Sequence, residues 1–256
     1  MEYLALERPA LNVAVVRLCG AGRVNLMSYA MLEELWRTAN ELQADRTLRA
    51  VVVTGTPEVF SAGMNLRQTE VSSFESYSIE ERLQIHAIGA RACRAWETLD
   101  AVTIAAVEGH CIGGGLAFAA ALDFRVASRD ATFSAPELRH GMNMSWQSVP
   151  RLVSLVGPAR GRRLVMLAES IGAEEALDWG LVDSLCASGE ALKAARELAD
   201  RLMAMPPAPL RMTKHAVNQA AGPLNHATSY MDLEQYVLCQ STDAHRASID
   251  AFLGRG

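Results

Sequence analysis

The first half of the chain alternates between short runs of β-branched residues and longer segments with helical spacing. Three apolar runs end at a glycine or a turn and predict buried strands: residues 11–18 (LNVAVVRL), 49–55 (RAVVVTG) and 102–109 (VTIAAVEG). Two segments carry apolar residues at helical spacing, one after the candidate N-cap Ser28 and one over residues 79–99. Strands that alternate with helices in this way predict an α/β layer structure.

The second half of the chain has a different pattern. After about residue 145 the strand signal fades, and short helical segments follow. The segment MPPAPL, residues 205–210, interrupts the chain before a last helical stretch. We therefore expect an α/β core over residues 1–200, which carries the functional site, and a helical C-terminal region over residues 201–256.

Composition and charge narrow the classes of function. Half of the residues are apolar and 21% are charged, with a net charge of −5 and no block of basic residues, so we expect no nucleic-acid partner. No apolar run reaches the roughly 18 residues of a membrane span, and the acidic N-terminal region lacks the pattern of a signal peptide. Five scattered cysteines without a CxxC pair predict reduced thiols in a cytoplasmic protein, without disulfides or a metal site.

Three consecutive glycines at 113–115 stand between a predicted strand and an apolar, helix-like run. In that position their backbone amides lie at a helix N-terminus, where they suit an anion, either a phosphate or an oxyanion that forms during a reaction. The segment matches neither GxGxxG, since Cys111 replaces a glycine, nor a P-loop, since Leu116 replaces the lysine. Close packing of helix on strand is the alternative explanation.

A second glycine-bearing loop, FSAGMNL at 60–66, also follows a predicted strand. A reaction that builds negative charge on a carbonyl oxygen needs two N–H donors, commonly from different segments. Two strand ends that each lead into a glycine loop therefore favour an oxyanion hole over a packing role.

These segments together resemble the crotonase superfamily, also called the enoyl-CoA hydratase/isomerase family, over roughly residues 5–200. The resemblance rests on GRVNLMS (22–28), VVVTGTPEVFSAGMNL (51–66), TIAAVEGHCIGGGLAFAAALDFRVAS (103–128), ATFSAPELRHGM (131–142) and GAEEALDWGLVD (172–183). It implies a spiral of repeated ββα units with a helical C-terminal trimerisation region, in a homotrimer or a dimer of trimers. It also implies a coenzyme A thioester as substrate and no bound cofactor.

The resemblance implies roles for individual residues. The backbone amides of Met64 and Gly114 would form the oxyanion hole for the thioester oxygen. The acyl-CoA would lie against a larger set, formed by Arg23, Val24, Leu26, Ala62, Asn65, Leu66, Ile112, Gly113 and Pro136. To this set we add Asn143 and Trp146, from the character of their own loop and not from the resemblance.

The carboxyl groups distinguish between reactions. Family hydratases with two carboxylates place one glutamate three residues after the middle glycine and another in a PE motif; here these positions hold Ala117 and Glu137. With one carboxylate, Glu137 is the main acid/base, and its pKa should be raised by apolar surroundings. This pattern suits double-bond isomerisation, or hydration or cleavage of an aryl-substituted enoyl-CoA. Thioester hydrolysis and a non-catalytic acyl-CoA-binding or scaffold role remain open.

The loop at 139–152 departs from the glycine-rich family pattern. Ser145 stands where dehalogenases of the superfamily have their nucleophilic aspartate, which excludes that reaction. We expect Trp146 and neighbouring methionines to shape an apolar acyl pocket, one for a bulky or aromatic group. Asn143, Ser145 or Gln147 would hold a water molecule or a polar substituent.

Other polar residues are weaker candidates. We expect His110 to pack and Asp123 to accept backbone hydrogen bonds, while His86 and His140 are candidate bases. The sequence does not decide whether Lys214 or Arg255 reaches the phosphates of a neighbour's coenzyme A.

Overall fold

The structure is a computed structural model, which describes residues 2–68, 76–222 and 225–254. In these ranges the strands are Leu4–Ala10 (β1), Val13–Leu18 (β2), Ala50–Thr54 (β3), Val59–Ser61 (β4), Val102–Val107 (β5), His110–Ile112 (β6), Phe124–Ser128 (β7), Thr132–Ser134 (β8), Ser170–Gly172 (β9) and Ser184–Cys186 (β10). The α-helices are Tyr29–Ala44 (α1), Ile79–Glu97 (α2), Gly114–Ala119 (α3), Ser148–Met166 (α4), Ala173–Trp179 (α5), Ala191–Met203 (α6), Pro207–Ala221 (α7), Asn225–Thr228 (α8), Asp232–Gln240 (α9) and Asp243–Leu253 (α10).

The strands form two sheets. The larger has the order β1-β2-β3-β5-β7-β10, parallel except for the antiparallel pair β1–β2. The smaller has the order β4-β6-β8-β9, with parallel pairs β4–β6 and β6–β8 and an antiparallel pair β8–β9. Three times, a strand of the large sheet is followed by a short strand of the small sheet and then a helix. The chain therefore repeats a ββα unit, as the resemblance implied.

The central strands β3 and β5 of the large sheet are buried on both faces, which explains the continuous apolar runs in the sequence. Along β3, Val51 and Val53 pack into the main core with α1 and α2. Ala50 and Val52, on the other face, pack against the alanine-rich side of α6. Helix α6 thus covers the face of the sheet that α1 and α2 leave open.

The predicted elements of the first half are confirmed within a few residues at their ends. Ser28 is the N-cap of α1, where its Oγ accepts a hydrogen bond from Met31 N at 3.1 Å. Gly114 begins α3, but this helix ends at Ala119, so it is shorter than its apolar sequence suggests. Beyond residue 145, where the strand signal in the sequence fades, the structure still has two short strands, β9 and β10.

The C-terminal helices fold back onto the rest of their own chain. Helix α9 packs on α2, and α10 packs on the turn Glu137–His140 that follows β8. Ser248 Oγ donates to Arg139 O at 3.2 Å, and His245 Nδ1 lies 2.8 Å from His140 O. The last quarter of the chain therefore supports the segment that carries Glu137.

Candidate active site

One partly open cavity of about 100 Å³ contains most of the residues that the sequence singled out. It lies where the loops after β4, β6 and β8 meet the segment before α4. Its lining consists of Ala62, Gly63, Met64, Leu66, Ile112, Gly113, Gly114, Ala117, Pro136, Glu137, His140, Met142, Asn143, Met144, Ser145, Trp146 and Tyr236.

The two glycine loops come together because β4 and β6 are neighbours in the small sheet. A Cβ atom placed on Gly63 would lie 3.2 Å from the amide nitrogen of Gly114. A Cβ atom placed on Gly114 would lie 3.6 Å from the amide nitrogen of Met64. Gly63 and Gly113 have φ angles of +87° and +54°, which side-chain-bearing residues rarely adopt. The glycines thus allow two backbone segments to approach each other closely.

The amide of Met64 is oriented by its neighbours. Met27 N donates to Gly63 O at 2.9 Å, and Asn65 N donates to Met27 O at 2.8 Å. Because successive backbone groups of an extended segment point to opposite sides, the Met64 amide faces away from Met27. In the described part of the chain, neither this amide nor that of Gly114 donates a hydrogen bond. Two adjacent N–H groups are therefore left for a ligand.

Glu137 begins the turn after β8, and its carboxyl group lies beside Gly113. A Cβ atom on Gly113 would be 2.9 Å from Glu137 Oε1, so a side chain at position 113 would displace this carboxyl group. Its other oxygen, Oε2, is buried and has no hydrogen-bond partner among the described residues. Burial raises the pKa of Glu137 to about 7, because the charged form loses its hydration.

Ala117 lines the same cavity and is almost completely buried. Glu137 is therefore the one carboxyl group among the described lining residues. A group with a pKa near neutrality can both take up and release a proton at physiological pH.

The segment before α4 forms one wall of the cavity. The indole ring of Trp146 packs against Gly114, where a Cβ atom would lie 2.7 Å from the ring, and against Gly89 of α2. Trp146 and Gln147 have φ angles of +62° and +58°, a strained conformation for residues other than glycine. Arg151 holds both, donating to their carbonyl oxygens at 2.9 and 3.0 Å.

Helix α9 contributes to the same wall. Asn143 Nδ2 donates to Asp232 O at 2.9 Å, and Gln147 N donates to Asp232 Oδ2 at 2.7 Å. One helical turn further, Tyr236 lines the cavity and its ring contacts His86 edge-on, at 5.1 Å between centroids. Sequence reasoning did not find Tyr236, which lies about a hundred residues from Glu137 and carries no motif.

The histidines differ in their surroundings. His86 is buried behind the cavity, where its Nδ1 is 2.8 Å from Tyr29 Oη, and it does not line the cavity. Desolvation and the nearby charge of Arg82 lower the pKa of His86 to about 4. His140 lines the cavity, whereas His110 is exposed and contacts Thr132.

Several expected acyl-CoA contacts lie at the edge of the cavity or outside it. Arg23 and Val24 are in an exposed turn, joined to the site by a hydrogen bond from Ala62 N to Val24 O at 3.0 Å. Leu26 and Asn65 do not line the cavity. The other expected residues do line it: Ala62, Leu66, Ile112, Gly113, Pro136, Asn143 and Trp146.

The structure also tests the expectations for Asp123 and Lys214, two polar residues outside the cavity. The expectation for Asp123 is confirmed, since its Oδ2 accepts hydrogen bonds from Thr103 N and Oγ1 at 2.7 and 3.0 Å. Lys214 is buried, pairs with Asp123 at 2.7 Å and donates to Ala101 O, so it does not extend toward a ligand of a neighbouring chain. Arg255 lies outside the described residues.

Within the described ranges, no group of three or more His, Cys, Asp or Glu side chains could hold a metal ion. Likewise, no helix in these ranges has the length and apolarity that crossing a membrane requires.

Comparison with known proteins accounts for nearly the whole chain. The profile of the family described as enoyl-CoA hydratase/isomerase matches residues 9–256. A short-chain-enoyl-CoA hydratase of Clostridium acetobutylicum is 30% identical over 254 residues, covering 99% of this chain and 95% of the relative. A crotonyl-CoA hydratase of Syntrophomonas wolfei is 26% identical over 253 residues, covering 98% of this chain and 95% of the relative.

Solved structures of related proteins have the same fold as this chain. An enoyl-CoA hydratase/isomerase from Mycobacterium paratuberculosis superposes with a TM-score of 0.89, at 18% identity and 98% coverage of both chains. The spiral of ββα units is therefore that of the crotonase superfamily. This chain belongs to the enoyl-CoA hydratase/isomerase family of that superfamily, whose members are enzymes that act on coenzyme A thioesters.

Proposed function

We propose that this enzyme moves the double bond of an enoyl-CoA, with Glu137 as its acid/base group. Glu137 takes a proton from C2 of a 3-enoyl-CoA and returns it to C4, while the double bond moves from C3–C4 to C2–C3. The observation that carries this proposal is that Glu137 is the one carboxyl group among the described residues of the cavity. One carboxyl group suffices for a reaction that removes and returns a single proton.

The amides of Met64 and Gly114 are proposed as the oxyanion hole. Removing the C2 proton places negative charge on the thioester oxygen, and these two N–H groups have no other acceptor in the described chain. Donors of this kind stabilise the charge that develops in the transition state; in other enzymes, loss of one costs about 3 kcal/mol.

The coenzyme A part of the substrate is proposed to pass along the turn that contains Arg23 and Val24, beside Leu26, Asn65 and Leu66. The hydrogen bond between Ala62 and Val24 joins this turn to the cavity. Arg23 is exposed and would meet a phosphate group. Replacing Arg23 with alanine should raise KM for the thioester several-fold and leave kcat unchanged.

Hydration of a 2-enoyl-CoA is the second candidate, favoured by the names of the relatives. In that reaction Glu137 would take a proton from water, whose oxygen adds to C3, and deliver it to C2. The Oδ1 atom of Asn143 is buried without a hydrogen-bond partner in the described chain, so it would hold this water from a second side.

One experiment distinguishes these reactions. The protein is incubated with 2-enoyl- and 3-enoyl-CoA in deuterated water. Isomerisation gives double-bond transfer with deuterium at C2 or C4, hydration gives a 3-hydroxyacyl-CoA, and hydrolysis gives free coenzyme A. Glu137→Gln should abolish turnover but retain acyl-CoA binding, whereas the exposed control Glu58→Gln should match wild type. Binding without any turnover would identify a non-catalytic relative, and full activity of Glu137→Gln would exclude Glu137 as the base.

We also propose that the C-terminal region, residues 201–256, mediates a homotrimer or a dimer of trimers. Its helices and the turn between α8 and α9 expose large apolar side chains to solvent, which favours a protein interface. They include Met212, Val217, Tyr230 and Leu238, each more than half exposed. Light scattering after size-exclusion chromatography tests this, and a monomer at micromolar concentration would contradict it.

A further inference from the structure

A second, larger apolar space, itself partly open to solvent, borders the cavity that holds Glu137. It has a volume of about 720 Å³ against about 100 Å³ for the cavity with Glu137. Much of its lining is aliphatic and comes from α4 and α7, including Val149, Val153, Val165, Ala220 and Ala221. Of the described lining residues, Asn143 and Met144 border both spaces. These two side chains therefore separate the cavities.

The two parts of this partition are held differently. Asn143 is fixed at its amide nitrogen by the carbonyl oxygen of Asp232, at 2.9 Å. Met144 is held by apolar packing, with 4% of its surface exposed, and belongs to the main core. A methionine side chain is unbranched and fills irregular gaps. The position of Asn143 thus depends on a hydrogen bond, whereas Met144 closes the remaining opening by its volume.

We infer that Met144 ends the acyl pocket, and that the enzyme therefore acts on short acyl chains. This rests on the proposed function, since it assumes that the acyl group enters the cavity beside Glu137. A chain that extends beyond the small cavity meets Met144, and the apolar space behind it stays out of reach. The proposed substrate therefore has a short acyl chain in place of the bulky or aromatic acyl group that we expected from the sequence.

The chain offers a matched control for this proposal. Met142 lines the small cavity but not the large one, and its exposed fraction is also 4%. Met144→Ala and Met142→Ala remove the same atoms from equally buried sites. Only the first opens a path between the two spaces.

The test measures kcat/KM for straight-chain enoyl-CoA substrates of four to twelve carbons. We expect Met144→Ala to raise the preference for eight carbons over four at least tenfold, since each additional buried methylene is worth up to about fourfold. Met142→Ala should change this ratio by less than about threefold on the same scale, and Met144→Leu should resemble wild type. An unchanged length preference in a folded Met144→Ala protein, or an equal shift in Met142→Ala, would overturn the proposal.

A second measurement separates this proposal from the assignment of the reaction. Saturated acyl-CoAs of the same lengths are titrated calorimetrically into wild type and both alanine variants. A shift in the preferred acyl length that occurs only in Met144→Ala supports the separation of the two spaces by Met144, even if the protein turns over no enoyl-CoA. Binding without such a shift contradicts the partition alone. No binding at any length contradicts both the partition and the proposed substrate class.

Discussion

Arg151 Nη1 lies 2.9 Å from the carbonyl oxygen of Trp146, the residue whose ring packs on Gly114. The same guanidinium donates from Nε and Nη2 to the two carboxylate oxygens of Glu97, at 2.9 and 2.8 Å. Arg151 thus connects α2 to a strained pair of residues in the wall of the active-site cavity. The ion pair belongs to the structure of the site even though neither partner lines the cavity.

Loss of Arg151 should cost stability as well as the shape of this wall. Arg151→Met leaves the largely buried Glu97 carboxylate without its partner and releases two carbonyl oxygens. We expect the free energy of unfolding to fall by about 3 kcal/mol, measured by urea denaturation. The double variant Glu97→Gln/Arg151→Met should lose at least about 1 kcal/mol less than the sum of the single losses, because the uncompensated charge is gone. Additive losses would show that the pair is not coupled.

A methyl group on Gly89 should displace Trp146. A Cβ atom there would overlap the indole ring, so Gly89→Ala should lower the free energy of unfolding by about 1–3 kcal/mol and reduce turnover. In a Trp146→Ala background the same change should be neutral, or stabilising by up to about 1 kcal/mol, because alanine favours a helix over glycine. Equal destabilisation in both backgrounds would show that the ring can move aside.

The raised pKa of Glu137 should make wild type less stable as pH increases. Its pKa is 4.5 when unperturbed and about 7 when folded, so the unfolded chain loses this proton first. The contribution of Glu137 is therefore fully present below pH 4.5 and lost as pH rises toward 7. Relative to Glu137→Gln, wild type should lose roughly 3 kcal/mol over this range and no more above pH 8. Denaturant unfolding at several pH values measures the difference, and Glu58→Gln should show no such trend.

The activity of the enzyme should change with pH in the opposite direction to its stability. A base that removes the C2 proton must be ionised, so kcat/KM for a 3-enoyl-CoA should rise with pH and level off above about 7. A rate profile without an inflection between pH 6 and 8 would contradict this assignment of the base.

His86 should produce a pH dependence of opposite sign to that of Glu137. Its pKa falls from 6.5 to about 4 on folding, so the unfolded chain binds the proton first as pH decreases. The stability that the neutral form of His86 contributes is fully present above pH 6.5 and decreases by roughly 3 kcal/mol as the pH falls to 4. His86→Gln should remove this loss, while the exposed His110→Gln should retain it. An unchanged acid transition in His86→Gln would show that other groups cause it.

The sequence alone predicts those features of the fold that depend on residues close together along the chain. The Ser28 cap, the long strands and the start of α3 follow from patterns within a few residues. The proposed roles of Met64 and Gly114 needed the family resemblance, because the pairing of β4 with β6 joins segments fifty residues apart through strands of only three residues. Strands this short carry no periodic signal.

Tyr236 and the Arg151–Glu97 pair escaped prediction for a related reason. Helical spacing shows that α9 has an apolar side, but it does not show which element that side covers. The buried ion pair joins two helices across fifty-four residues, and neither residue stands in a recognisable motif. Such contacts depend on how the helices pack against each other, which local sequence patterns do not show.

Glu137, the one carboxyl group among the described residues of the cavity, also has a consequence for stereochemistry. One fixed group reaches only one face of a flat enoyl thioester, and Ala117 offers no second group for the other face. Removal at C2 and return at C4 would therefore be suprafacial, with one enantiotopic hydrogen of C2 selected. Because Oε2 of Glu137 is shielded from solvent, part of the migrating hydrogen should also be retained in the product rather than exchanged with water.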